Sequence, residues 1–198
     1  WNYMKGSNLY IVYSFNKAVN GHRYDSITQL RDLLSSSKGQ TEAVNLDELC
    51  SSAYGKLRAI AGGVDVSMNI DPNVVIRCNS RRMRLTIENL LLNGFEAAQE
   101  TNNPTLTLEI QNADNRPRII LSNSTSWSSP EQMATVVDKM GGKSLEPYST
   151  KSGDQRKRGT GVPFIKETIR GLGGTYDVEG SPHSLEQMIG LPSELLVA

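Results

Sequence analysis

RRMRLTIENLLLNGFEAAQE, residues 81–100, decides how this chain is read. Leucine, isoleucine, methionine and phenylalanine recur at helical spacing, so the stretch predicts a long core helix over 81–99, capped by Asn79 or Ser80. Thr86, Asn89, Asn93 and Glu96 follow at intervals of three, four and three, which places them in one narrow polar stripe on that helix. A solvated edge of an amphipathic helix explains such a stripe without any function. A functional reading needs a cavity above it. There a carboxamide oxygen is a neutral, hard ligand that suits Mg²⁺ and leaves the metal's charge for phosphate oxygens.

Working outward, the pattern alternates between helices and strands. Asn45 can cap a helix over 46–61 that Gly62-Gly63 closes. VDVSMNI (64–70) alternates as a strand, and VVIRC (74–78) reads as a second one. Beyond the long helix, TLTLEIQ (105–111) and RIILSN (118–123) predict a strand pair. Residues 124–158 show weak periodicity with many Ser, Gly and Lys, and read as an irregular lid. GTGVPFIKETIRGLGG (159–174) is a glycine-rich entry to a helix beginning near Val162. TYDVEG and LEQMIGLP close the chain as two strands. This order predicts an α+β fold: a two-layer α/β sandwich, with a mixed sheet and helices on one face. Upstream, 5–19 and 23–37 are two helical patterns around the Asn20-Gly21 turn. A boundary near residue 42 therefore separates a helical hairpin or linker (1–42) from the main domain (43–198).

Composition narrows the function classes. Lys plus Arg and Asp plus Glu both number 21 in 198 residues. A zero net charge gives no general argument for nucleic acid or an acidic membrane as partner. Cys50 and Cys78 form no CxxC pair, which fits a reducing compartment. No apolar run approaches the roughly 18 residues of a membrane span. His22 and His183 lie far apart, and no zinc pattern can be built around them.

Gly159 and Gly161 stand directly before a predicted helix. Glycine lets backbone approach a ligand, and a helix N-terminus favours anions. A flexible hinge after the lid is the competing explanation of the same two glycines.

The order of these parts resembles the ATP-binding catalytic domain of sensor histidine kinases, in the GHKL ATPase superfamily, over about residues 44–192. IENLLLNGFEAA (87–98) resembles that family's N box, and STKSGDQRKRGTGV (149–162) the end of its lid and its second glycine box. MIGLP (188–192) resembles its last strand. The resemblance implies ATP and Mg²⁺ as cofactors. It puts the magnesium ligand on Asn93 and its companion on Asn89. It assigns Thr150, Lys151, Gly159, Thr160 and Gly161 to the nucleotide, with Arg156 or Arg158 as further lid cations. It also implies a response regulator receiver domain as partner, homodimerisation through upstream helices and a cytoplasmic location. Any membrane attachment would run through a segment outside this chain.

Three departures from the family pattern stand out. Asn123 takes the place of the aspartate that accepts from the adenine amine, and Thr125 replaces a glycine of the first glycine box. Asn123 still offers a carbonyl oxygen, without the charge. Trp127, close by, can pack in the lid or stack on a base. Pro163 stands where a glycine is usual, which suits a first helical turn but removes one N–H. Finally, the only upstream phosphoacceptor candidate is His22, at a predicted turn. The chain alone is therefore expected not to phosphorylate itself on histidine. His183 reads as a loop residue.

Two functions remain open on these residues. One is a histidine kinase catalytic region. The other is a degenerate docking module that binds a response regulator and binds ATP weakly or not at all. A hydrolytic GHKL ATPase fits less well, because Asn89 stands where such enzymes keep a general-base glutamate.

Overall fold

The computed structural model describes residues 40–142 and 161–197. The predicted helical hairpin, His22, Thr150, Lys151, Arg156, Arg158, Gly159 and Thr160 lie outside these residues.

A short strand β1 (Glu42–Asn45) leads into helix α1 (Leu46–Leu57). Asn45 is the N-cap, its side-chain oxygen accepting from the backbone N–H of Asp47 at 2.8 Å and Glu48 at 3.2 Å. Strands β2 (Asp65–Ile70) and β3 (Val75–Cys78) precede helix α2 (Ser80–Ala98). Asn79 caps α2 by accepting from Arg82 N–H at 2.9 Å. Strands β4 (Thr105–Ala113) and β5 (Arg116–Ser124) form a hairpin whose turn residues, Asp114 and Asn115, take φ of 53° and 58°. Two left-handed residues in sequence match the right-handed twist of the flanking strands. Helices α3 (Pro130–Gly141) and α4 (Gly161–Gly171) and strands β6 (Thr175–Ser181) and β7 (Ser184–Gly190) complete the layers, followed by a 3-10 turn at Ser193–Leu195.

The main sheet has the order β2-β4-β5-β7-β6, with β2 parallel to β4 and the other pairs antiparallel. It is the predicted mixed sheet, covered by helices on one face. Inward positions recur with period two: Leu106, Leu108 and Ile110 on β4, and Ile119, Leu121 and Asn123 on β5. The apolar side of α2 meets them through Met83, Ile87, Leu90, Leu91 and Phe95, all fully buried.

Three expectations need correction. The strand at 75–78 does not enter the main sheet; it pairs antiparallel with β1, a strand that the sequence pattern does not predict and that starts at the expected domain boundary. A four-residue strand has too short a period to read and depends on its partner. The first helix stops at Leu57 rather than 61, and the chain turns to Gly63 at φ 81°. The stretch 124–158 is not irregular throughout, since α3 lies inside it. Ser129 accepts from Gln132 N–H at 3.2 Å, and Pro130 occupies the first turn, where its missing N–H costs nothing.

Gly94 sets how closely α2 approaches the sheet. A Cβ there would lie 2.6 Å from Leu106 Cδ1 and 2.8 Å from Leu121 Cδ2. Gly94→Ala is expected to lower stability by about 1–3 kcal/mol through overpacking, despite its better helix propensity. Chemical denaturation would read this as a lower midpoint at unchanged slope.

Candidate functional site

Helices α2 and α4 pack against each other, and their contact brings the asparagine stripe to the glycine that opens α4. A Cβ placed on Gly161 would lie 3.0 Å from Asn89 Oδ1 and 3.5 Å from Asn93 Oδ1. Both carboxamide oxygens therefore converge on backbone that only glycine leaves open. The Asn89 amide is fixed, because its Nδ2 donates to the Leu85 carbonyl at 2.7 Å. Its oxygen is left to face α4. Asn93 Nδ2 is buried and has no hydrogen-bond partner among the described residues. An unmet buried amide costs about 1–3 kcal/mol, so the contacts of the described residues give no structural reason for an asparagine here.

Chemically, two neutral oxygens beside a helix N-terminus suit a hard cation together with an anionic group. The residues present thus fit a magnesium ion accompanying phosphates. Pro163 is buried in the first turn of α4, so the helix entry accommodates it. Thr86, the first member of the predicted stripe, is fully buried and donates to the Arg82 carbonyl one turn back at 3.0 Å. It belongs to the core and does not share the site.

A second polar group sits on the sheet. Asn123 is 2% exposed at an inward position of β5. Its Nδ2 donates to the Ser124 carbonyl at 2.9 Å, while Oδ1 is buried without a partner among the described residues. Thr125, just past the strand, is also buried with an unmet hydroxyl. Asn123 follows Leu121 on the inward face, and Leu121 lies under Gly94, so this group adjoins the Asn93 turn of α2. Trp127 is tethered away from free rotation: its indole N–H donates to the Ser181 carbonyl at 2.7 Å. His183 is an exposed turn residue whose carbonyl accepts from Thr125 N–H at 3.0 Å.

Sequence reasoning missed several polar residues here. Gln187 is fully buried on β7, in the inward series Leu185-Gln187-Ile189. A glutamine at an inward position of an alternating strand was the signal. Lys166 on α4 donates to the carbonyls of Gly142 and, at 3.4 Å, Lys139. It ties α4 to the C-terminal end of α3, where a cation complements the helix dipole. Arg82 extends the stripe one further turn and lies 4.0 Å from Glu167 of α4. The two cysteines stay apart from this chemistry; burial pushes both thiols up to about 12, where they remain protonated. No described helix is long and apolar enough to cross a membrane.

Comparison with known proteins places this geometry in context. Residues 81–192, more than half of the chain, match the GHKL domain family. No curated protein matches the sequence. Among solved structures, the nucleotide-free catalytic domain of the histidine kinase ThkA superposes with a TM-score of 0.61 at 19% identity, covering 78% of this chain and 96% of that one. The mycobacterial sensor histidine kinase MprB superposes at 0.61 and 15% identity, over 77% of this chain and 97% of that one. Full-length ShkA in complex with AMPPNP superposes at 0.64 and 17% identity, over 86% of this chain and 36% of that one. These likenesses establish the fold that the chain shares with histidine kinase catalytic domains.

Proposed function

The chain belongs to the GHKL domain family, and on that premise we propose that it binds Mg-ATP as the catalytic region of a sensor histidine kinase. The observation that carries this reading is the convergence of Asn89 Oδ1 and Asn93 Oδ1 on the open backbone of Gly161. Asn93 and Asn89 would hold the magnesium. When bound, the metal would supply positive charge to the triphosphate. The α4 N-terminus would offer backbone N–H groups to the same anion. Asn123 Oδ1, buried and without a partner, would accept from the base. Thr150, Lys151, Gly159 and Thr160 would complete the phosphate site, with Arg156 or Arg158 adding charge. Phosphoryl transfer asks the protein chiefly for positioning and charge neutralisation, which these residue types supply.

In this reading residues 1–42 are the remnant of a dimerisation and phosphotransfer region, and 43–198 form the ATP-binding domain. The phosphorylated histidine would come from outside these residues, since the turn that the sequence predicts at His22 would be poorly placed to meet a γ-phosphate in line. A homodimer through upstream helices, a response regulator receiver domain as partner and a cytoplasmic location belong to the same proposal. One observation favours the alternative of a docking module: Asn123 is neutral where a charged acceptor would hold the base more strongly.

Titration calorimetry with and without Mg²⁺ tests the choice. Mg-dependent binding of ATP is expected, weakened about tenfold by the neutral acceptor. Absence of heat at millimolar Mg-ATP would discard the kinase reading in favour of the docking module.

A further inference from the structure

Strand β7 carries an amide where its alternation calls for an apolar side chain. Gln187 lies directly opposite Leu121, and Leu185 opposite Asn123, in the β5–β7 register. Asn123 and Gln187 are thus diagonal neighbours on the helix-covered face, about 7 Å apart and within reach of a shared ligand. Each amide is pinned at one end and unmet at the other. Asn123 is held through its nitrogen by the Ser124 carbonyl, so it presents Oδ1. Gln187 is held through its oxygen, which accepts from the Tyr176 hydroxyl at 2.9 Å, so it presents Nε2. Burial pushes the Tyr176 hydroxyl above its ordinary range, which keeps it a donor. The result is one buried acceptor beside one buried donor, neither satisfied by the described residues.

We infer that Asn123 and Gln187 together read the edge of a 6-aminopurine, with Asn123 Oδ1 accepting from the exocyclic amine and Gln187 Nε2 donating to N1. The inference rests on the nucleotide reading above and makes Gln187 a specificity-determining residue. Adenine presents a donor at its amine and an acceptor at N1. Hypoxanthine and guanine reverse both, placing an oxygen against Asn123 Oδ1 and an N–H against Gln187 Nε2. Asn123 cannot turn to suit them, because the Ser124 carbonyl that holds its nitrogen only accepts; turning Gln187 over would make the Tyr176 hydroxyl accept and leave its proton without the amide oxygen. A site built this way rejects the wrong base by leaving polar groups unmet.

Calorimetry on the unaltered protein, in Mg²⁺, compares four triphosphates. ATP carries both groups, 1-deaza-ATP lacks the N1 acceptor, purine riboside triphosphate lacks the amine, and ITP reverses both. Against ATP, the two single deletions are expected to bind about tenfold more weakly, and ITP about a hundredfold or more. Gln187→Met should cost ATP the same tenfold and leave 1-deaza-ATP where it was. 1-Deaza-ATP binding as tightly as ATP overturns the inference. So does a Gln187→Met protein that weakens both ligands equally, since that variant also deprives the Tyr176 hydroxyl of its acceptor and would then be acting through the fold. Equal Mg-dependent binding of all four triphosphates removes this inference and leaves the nucleotide reading standing. Failure of all four to bind removes both.

Discussion

Replacing Asn93 by alanine is expected to lower Mg-dependent nucleotide affinity by about a hundredfold, or close to 3 kcal/mol, with little change in melting temperature. The two halves of this expectation have different origins. The loss of affinity follows from removing one of two carboxamide oxygens that meet at Gly161. The preserved stability follows from the amide nitrogen, which is buried without a partner among the described residues. Truncation deletes an unmet donor rather than a hydrogen bond the fold depends on. Calorimetry with and without Mg²⁺ reads the first half, and thermal unfolding without ligand reads the second. A drop of more than about 3 °C in the ligand-free protein, equal to roughly 1 kcal/mol, would mean that Asn93 supports the core. The magnesium assignment would then lose its basis.

Gly161→Ala is the second large effect, and it should move stability and binding differently. Alanine favours a helix, so the first turn of α4 should be as stable as before or slightly more so. The added Cβ would nonetheless stand 3.0 Å from Asn89 Oδ1. Asn89 cannot easily yield, because its Nδ2 is held by the Leu85 carbonyl at 2.7 Å. Either the amide gives up that bond or α4 backs away by a few tenths of an ångström. Both displace an oxygen from the cation or the backbone N–H groups from the phosphates. Nucleotide affinity is expected to fall at least tenfold, about 1.4 kcal/mol, while the unfolding midpoint holds. Tight binding by the alanine protein would show that phosphates do not approach Gly161, and would leave the glycine as a hinge.

Lys166 ties the same region to helix α3. Its ammonium joins α4 to the end of α3, the last described residues before 143–160. Helix α4, which Gly161 opens, and the C-terminal end of α3 are therefore linked through one side chain.

Local periodicity made much of this molecule legible. The apolar repeat of 81–99 marked α2, the two-residue alternation of 105–111 and 118–123 marked the central strands, and Asn45 and Asn79 announced helix starts. Such signals depend on neighbours a few residues away, and they survive without a tertiary context. The same is true of the carboxamides at Asn89 and Asn93, which helical spacing alone puts on one face. Helix α3 was hidden although Ser129, Pro130 and Gln132 mark its start. Its apolar face is narrow, with Val136 alone fully enclosed, and the serines and glycines around it outweighed it. Thr86 had the spacing of a site residue, but burial beneath the helix turned its hydroxyl back to Arg82. Only the tertiary structure could bring Gly161 against Asn89, 72 residues earlier in the chain, because helix packing sets that contact and leaves no trace in local pattern. Sheet register likewise placed Gln187 diagonally to Asn123, since a one-residue slip would have turned either amide to the opposite face.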